Sequence, residues 1–589
     1  MHAVTDPIRI ANCSGFFGDR LSGAREMVEG GPIDVLTGDW LAELTMLILA
    51  RTAAKRPGTG YARTFVTQME DVMGACLDKN IKVVSNAGGL DPENCAMAVQ
   101  EVAHRLGLNP KIAFVRGDDL MPRLQELITQ DELTHFETGE PIKDPNRFMT
   151  ANAYLGCWGI VDALQDGADI VITGRVTDAA VVCGPAAWHH GWSRTDWNEL
   201  AGGVVAGHVI ECSSQATGGN YSFFSEVPGL ERIGFPWAEI AEDGSCVIGK
   251  HEDGLGGQIS IGTVTSQLLY EIGGHEYFGP DVTTRFDTIQ IQETGHDRVR
   301  LHGTQGEPPP DTLKVCMNRT GGFRNDMRVG LTGLDIEKKA DVIEKAFWRA
   351  CPYAPSDYDQ VTTRLLRTDK TDPSSNEEAG AVWHISVKDQ DPERVGRPFA
   401  NAVTELALSS IPGFFGVGGG PSAGSPFGIY EPAKIPAHAV PQEVVFVGGG
   451  SKEIDSVIPP GSNAILPAAG PTVSTPTGAT RRVPLGEVLG TRSGDKGGNA
   501  NLGVFARSDA AWAWLDAFLT IERVSELLPE VGQFEVDRYR FPALRSLNFV
   551  VHGILEEGVA AATRQDSQAK SLGEWLRARV VEIPTSLLD

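Results

Sequence analysis

"NIKVVSNAGGLDPENCAMAVQEVA", residues 80 to 103, is the stretch that decides the fold. Its apolar run at 82–85 predicts a strand, residues 86–89 a tight polar loop, and the segment from Asp91 a helix. The same scheme precedes it twice. Residues 8–11 read as a strand running into the glycine-rich "NCSGFFGDR", and 33–36 as a strand followed by Thr37-Gly38-Asp39 and a helix burying Leu41, Leu44 and Ile48. It follows twice more, in "PKIAFVRGDDL" (110–120) and "ADIVITGRVTDAAVV" (168–182). Strands alternating with helices predict an α/β fold with a parallel sheet covered by helices. The expected form over residues 1–203 is an open, doubly wound, Rossmann-like sheet, with a closed (β/α) barrel as the lesser alternative.

A chain of 589 residues exceeds one typical core, so two or three domains are expected. From about residue 204 glycine rises and helical periodicity thins. Strand-like runs at 256–264 and 288–292 and a helix around 336–350 predict a second, mixed α/β domain over 204–429. Residues 430–480 are rich in Pro, Gly, Ser and Thr and read as a linker or wrapping arm. Residues 481–589 predict a small α+β domain packed against the rest, with strands near 484–490, 500–506, 534–541 and 547–555 and helices near 509–519 and 570–579. Gly15-Phe16-Phe17-Gly18 recurs as Gly413-Phe414-Phe415-Gly416, either as two loops built alike or as coincidence.

Composition narrows the function classes. Hydrophobic content of 41% with 22% charged residues describes a globular protein. The net charge of −26, from 51 Lys+Arg against 77 Asp+Glu, repels phosphate backbones and anionic lipid, so neither nucleic acid nor membrane is expected as a partner. An anionic small molecule would need a locally basic pocket. The nine cysteines include no CxxC pair and read as reduced core residues. No N-terminal apolar signal region and no apolar run of roughly 18 residues is present, so a cytoplasmic protein is expected. Assembly into a homo-oligomer is also expected.

In a parallel sheet the loops leaving the carboxyl ends of the strands converge on one edge, where ligands bind. Those corners supply Asn12, Ser14 and Gly15, then Asp39, then Asn86, Gly88 and Gly89, then Arg175, as candidate substrate-binding residues. Singly, each is an ordinary capped corner; four on one edge point to a site. Arg175 and Asp178 stand three positions apart where a helix is expected to begin near Thr177. Arg175 is expected to bind a substrate carboxylate or phosphate through its planar fork, and Asp178 either to orient that fork or to act as the base. "GHVIECSSQATGGNY" places Glu211 and Cys212 at the end of an expected apolar strand before Asn220. Glu211 is the second candidate acid or base, with Asn220 beside it, and Cys212 reads as a small core residue. "GTRSGDKGGNANLGV" (490–504) reads either as an exposed hairpin turn or as an anion nest carrying Arg492, Lys496, Asn499 and Asn501. His189-His190 reads as a helix end, and no histidine spacing indicates a metal site. Neither GxxxxGK[ST] nor GxGxxG is present, so no cofactor is identified.

Taken together, "ANCSGFFGDR", "NAGG", "TGRVTDAA", "HVIECSSQATGGNY", "GGFRND" and "GTRSGDKGGNANLGV" resemble the acyclic terpene utilisation protein AtuA family over nearly the whole chain. Residues up to about 430 match its main domain, and the final hundred the small domain often fused to it. The resemblance implies catabolism of acyclic terpenes and similar branched acids as CoA thioesters, alongside acyl-CoA carboxylases and enoyl-CoA hydratases. It carries over no catalytic residue. Two expectations follow. One is an enzyme of the lyase or hydratase type on an acyl-CoA or related carboxylated intermediate, with a CoA thioester as the candidate substrate. The other is a non-catalytic binding or scaffold subunit of an acyl-CoA-processing assembly.

Overall fold

The computed structural model describes residues 6–252, 254–418, 420–456 and 458–588. Two compact units emerge: one of Met1–Asn318, Tyr430–Val559 and Gln568–Asp589, the other of Arg319–Ile429 and Ala560–Ser567. The change of texture at residue 204 is therefore not a boundary between compact units.

The first unit is built on an eleven-stranded mixed sheet. Its centre is parallel, in the order Ile8–Asn12, Val35–Gly38, Lys82–Ser85, Ile170–Thr173, Ile112–Arg116. These strands are almost continuously buried, as strands covered on both faces must be. The expected open α/β sheet is present, and antiparallel strands extend it on both sides. Pro236–Ile240 pairs with Ile8–Asn12 and is continued by Cys246–Lys250, Arg298–His302 and Gln290–Gly295. At the other edge Gln442–Phe446 pairs with Ile112–Arg116 and with Ser451–Ile454. The first half of the proline-rich segment thus adds strands to the sheets, while residues 458–479 run without regular structure.

Several local expectations are corrected. The helix Glu43–Lys55 buries Met46, Leu47, Leu49 and Ala50 and leaves Leu44 and Ile48 exposed, while Leu41 is buried ahead of it. The run ending at Ile210 is the close of a helix, Trp197–Ile210, not a strand. Every residue from Leu200 to Ile210 is buried, so the helix has no polar face to betray its period. Residues 256–260 form a loop, and 261–264 open the helix Ile261–Leu268, which Ser260 caps through the Thr263 amide. The second Gly-Phe-Phe-Gly lies partly in a short strand, Phe414–Gly416, whereas the first forms a turn, so the two are not built alike.

The C-terminal region makes its own antiparallel sheet, in the order Leu489–Lys496, Asn499–Ala506, Ser546–Val551, Val536–Phe541. Helices Asp509–Phe518, Ile521–Leu527 and Leu572–Arg577 accompany it, and Thr480–Pro484 pairs with Val580–Pro584. Its core, around Leu502, Leu515 and Phe549, is separate from that of the main sheet. It docks through specific bonds: Ser222 Oγ donates to the Thr491 carbonyl at 2.8 Å, and Arg577 donates to the Ser222 carbonyl at 2.9 Å.

In the second unit, residues 323–332 pair with Gly380–Asp389, which pairs with Gln360–Arg367. Helices Ile336–Ala350, as expected, and Arg397–Glu405 bring Phe347 and Phe399 into a core with Trp383 and Ile385. Among the described residues no helix is long and apolar enough to cross a membrane.

Candidate functional site

The four strand corners do meet on one edge, and they bond to one another. The Asp39 amide donates to the Ser14 carbonyl at 2.9 Å. Asn86 Nδ2 donates to Asp39 Oδ1, and Asn86 Oδ1 accepts from the Trp40 amide at 2.8 Å. Asn12 Nδ2 donates to the Glu211 carbonyl at 3.2 Å, tying the first corner to the end of the helix Trp197–Ile210. Two glycines are required by close approach: a Cβ on Gly15 would lie 2.7 Å from the Cys212 carbonyl carbon, and one on Gly88 2.4 Å from the Thr173 carbonyl oxygen. Gly89 sits in the left-handed region at φ 55°. Ser14 Oγ is turned to the Phe16 carbonyl, so its hydroxyl serves the loop.

Arg175 is buried under this edge. Its Nη1 donates to Asp178 Oδ1 at 2.6 Å and to the Leu41 carbonyl at 3.2 Å, and its guanidinium lies 4.2 Å from the Tyr154 ring centroid. Nε is sealed without a hydrogen-bond partner. Below it Asp118 accepts from the Arg175 amide and from Asn152 Nδ2, both at 2.9 Å, and burial pushes its carboxyl up to about 7. The helix after this corner begins at Ala180, so Asp178 stands ahead of its first turn rather than within it.

Around these groups the fold gathers more charge than the sequence reading named. Glu43, in the first turn of its helix, receives the Tyr154 hydroxyl at 2.9 Å and lies 3.4 Å from Lys314 Nζ. Although burial works against it, the Lys314 and Arg175 cations hold Glu43 down at about 2. Glu211, the cap of its helix, is buried with Oε2 unpartnered. Burial first, then the charges of Asp178 and Glu271, raise its carboxyl well above the ordinary range. Burial and the same Asp178 charge also raise Asp39, and burial raises Glu271. Glu211 Oε1 lies 3.5 Å from His208 Nδ1, and burial, helped by Lys496, pushes that imidazole down to about 4.

Sealed and accessible groups alternate here in a telling way. Arg175, Asp39, His208 and Glu211 are closed off, whereas Asp178, Glu43 and Lys314 keep 29%, 30% and 32% of their side-chain surface accessible. Glu271, Tyr277 and Lys496 are likewise only partly covered. These partly accessible groups stand around the sealed cluster, close enough for Asp178, Glu271 and Lys496 to act on Glu211. Among the described residues no three His, Cys, Asp or Glu side chains are arranged to hold a metal ion. A cavity of about 680 Å³ lies elsewhere, lined by Arg232, Lys250, Gln258 and Asp297, and none of the carboxylates above lines it.

A family model described as "Acyclic terpene utilisation family protein AtuA" matches residues 8–446, more than half of the chain. The chain belongs to the AtuA family. A second model, "AtuA ferredoxin-like domain", matches residues 483–582. No curated protein and no solved structure matches the chain.

In this AtuA family member the ferredoxin-like domain packs beside that cluster through the Glu271 backbone. Residues 490–504 are not an open nest: Leu489–Lys496 and Asn499–Ala506 are paired strands joined by a two-residue turn, Gly497-Gly498. Arg492 is buried, donating to Gln215 Oε1 and lying 4.1 Å from the Tyr270 ring centroid. Asn501 is wholly buried and accepts from the Glu271 amide at 2.9 Å while donating to the Leu269 carbonyl and Asn548 Oδ1. Asn499 Oδ1 accepts from the Gly553 amide at 2.8 Å and its Nδ2 donates to Glu137. Of the four hairpin candidates, Asn501 and Lys496 both bond to the Glu271 backbone, Lys496 donating to its carbonyl at 2.7 Å. Asn220 is exposed on a left-handed turn at φ 58°. Cys212 sits beside Glu211 with its thiol raised by burial and by the Glu211 and Glu271 charges, which keeps it from the thiolate form a nucleophile needs. His189 and His190 end their helix against the Asp6 and Ile240 carbonyls.

Proposed function

We propose that the chain is an enzyme of general acid–base chemistry, of the lyase or hydratase type, acting on a branched carboxylated or CoA-thioester intermediate of acyclic terpene utilisation. The observation that carries this reading is the Glu211 carboxyl: buried, raised, and with Oε2 unpartnered. A carboxyl that burial makes hold its proton more tightly than usual can give that proton and take it back, which hydration of a conjugated acyl group and carbon–carbon cleavage both require. The accessible Asp178 carboxylate, held by Arg175, supplies a base beside it, and Lys314 supplies positive charge for a substrate anion.

The test is binding followed by turnover. Thermal shift against branched acyl-CoAs, the corresponding free acids and free CoA should find stabilising ligands, and those ligands should be converted on prolonged incubation. Binding with no conversion of any of them would favour the scaffold reading instead.

A further inference from the structure

We propose that Lys496 is a nucleophile that forms an imine with a ketone or aldehyde substrate, whose carboxylate is held by Lys314. This rests on the acid–base reading above and gives its lyase branch a chemistry. Lys496 stands at the end of Leu489–Lys496, directly before the Gly497-Gly498 turn, so its backbone is fixed by strand pairing while its side chain reaches the Glu271 carbonyl and its charge acts on Glu211. Nζ donates to the Glu271 carbonyl and makes no ion pair among the described residues. That differs from Lys314, which faces Glu43 at 3.4 Å, and from Lys250, which faces Asp297 at 3.8 Å. An amine held by a neutral carbonyl keeps that bond when it loses its proton, and its lone pair is then free to attack.

The surroundings favour the neutral amine. Burial, and then the Lys314 cation, lower the Lys496 amine from its ordinary value, and the Glu271, Glu43 and Asp178 charges oppose them without reversing the direction. At pH 7 an ordinary lysine is neutral roughly once in 2,500, and each unit of lowering multiplies that fraction about tenfold. Lys314 is partly accessible and close to the Tyr154 and Tyr430 rings, at 4.8 and 5.6 Å from their centroids, which suits a carboxylate on an apolar chain.

The step balances without any co-reactant. The Nζ lone pair bonds to the carbonyl carbon, and the oxygen takes a proton from a carboxyl such as Glu211 or Glu271. The resulting carbinolamine loses water to give a protonated imine. That cation accepts the electron pair of the carbon–carbon bond at the next carbon. The departing carbon leaves as carbon dioxide from a β-keto carboxylate, or as an aldehyde once its β-hydroxyl has given its proton to a carboxylate such as Asp178. Protonation of the enamine and addition of water then release the ketone and return the amine.

The experiment is reductive trapping on the full chain with acetoacetate and pyruvate as probes and borohydride as reductant. The expected result is one adduct per chain, mapped to Lys496, exceeding by about tenfold the labelling of exposed Lys338, and lost in Lys496→Arg. Labelling of Lys496 no greater than of Lys338 overturns the proposal, and needs no variant to fold. Turnover lost in Glu211→Gln but kept in folded Lys496→Arg overturns the imine alone and leaves the acid–base reading standing. An adduct on Lys496 with full activity in Glu211→Gln overturns the acid–base reading and keeps the lysine.

Discussion

His208 Nδ1 and Glu211 Oε1 lie 3.5 Å apart, one helical turn from each other, and burial shifts each toward its neutral form. It pushes the imidazole down to about 4 and the carboxyl up from its ordinary range. An infrared difference spectrum between the parent protein and Glu211→Gln should therefore contain the carbonyl band of a protonated carboxyl at pH 7. The signs of linkage also differ. The lowered His208 contributes stability that is lost as pH falls from about 6.5 through 4, and the raised Glu211 contributes stability that is lost as pH rises through its own elevated value. A carboxylate band alone at pH 7 would show that Glu211 is ionised.

Asp118 gives a second pH signature. Its carboxyl is raised to about 7 by burial, so the stability linked to its proton is complete below its ordinary value near 3.8 and is lost as pH climbs through 7. Asp118→Asn keeps an oxygen for the Arg175 amide and Asn152 Nδ2. The variant's melting temperature should fall less than the parent's between pH 5 and 8, on the order of those values. Parallel curves would remove the assignment.

Arg175→Lys should do two things at once. The sequence reading left Arg175 for the ligand, with little effect on folding; the structure shows a sealed guanidinium bonded to Asp178 and Leu41. Lysine keeps the charge but loses the fork and the packing against Tyr154, so stability should fall by roughly 1.5–3 kcal/mol, read by urea unfolding. Ligand affinity should fall about tenfold as Asp178 loses its anchor. Unchanged unfolding would mean that the buried contacts carry little weight.

Asn501→Ala tests the hold of the ferredoxin-like domain on the acid cluster. It leaves the Glu271 amide and the Leu269 carbonyl without their partner, which costs roughly 1–3 kcal/mol. The melting temperature should drop, and turnover should fall further than stability alone explains, because Lys496 and Glu271 share that contact. Equal melting temperatures would separate the hairpin from the site.

The parallel core was legible because its strands are short apolar runs closed by glycine-polar corners, and 82–85 is a strand in full. Glu211 was expected at the end of a strand and instead caps a helix. Its helix is buried on every side, so periodicity could not distinguish it from a strand. The hairpin at 489–506 read as a loop because its glycines look like flexibility. Gly494 and Gly503 instead make room for Tyr270 and Leu269, whose nearest atoms would stand 2.5 and 2.6 Å from an added Cβ. Glu43, Glu271 and Lys314 were not named at all. Lys314 reaches Glu43 across 271 residues, and Lys496 reaches Glu271 across 225, so no local pattern joins them. Only the first turn of the helix at Glu43, next to the Asp39 corner, carried a signal in the sequence.

The central claim is that Glu211 moves a proton in the reaction, and turnover by Glu211→Gln tests it most directly. The amide keeps the size and polarity of the side chain but cannot exchange a proton. On any branched acyl-CoA or keto acid that the parent protein converts, the variant's kcat should fall by about 100-fold or more while its melting temperature stays within about 5 °C. A variant that turns over like its parent, or one whose activity falls only in step with its stability, would contradict the account.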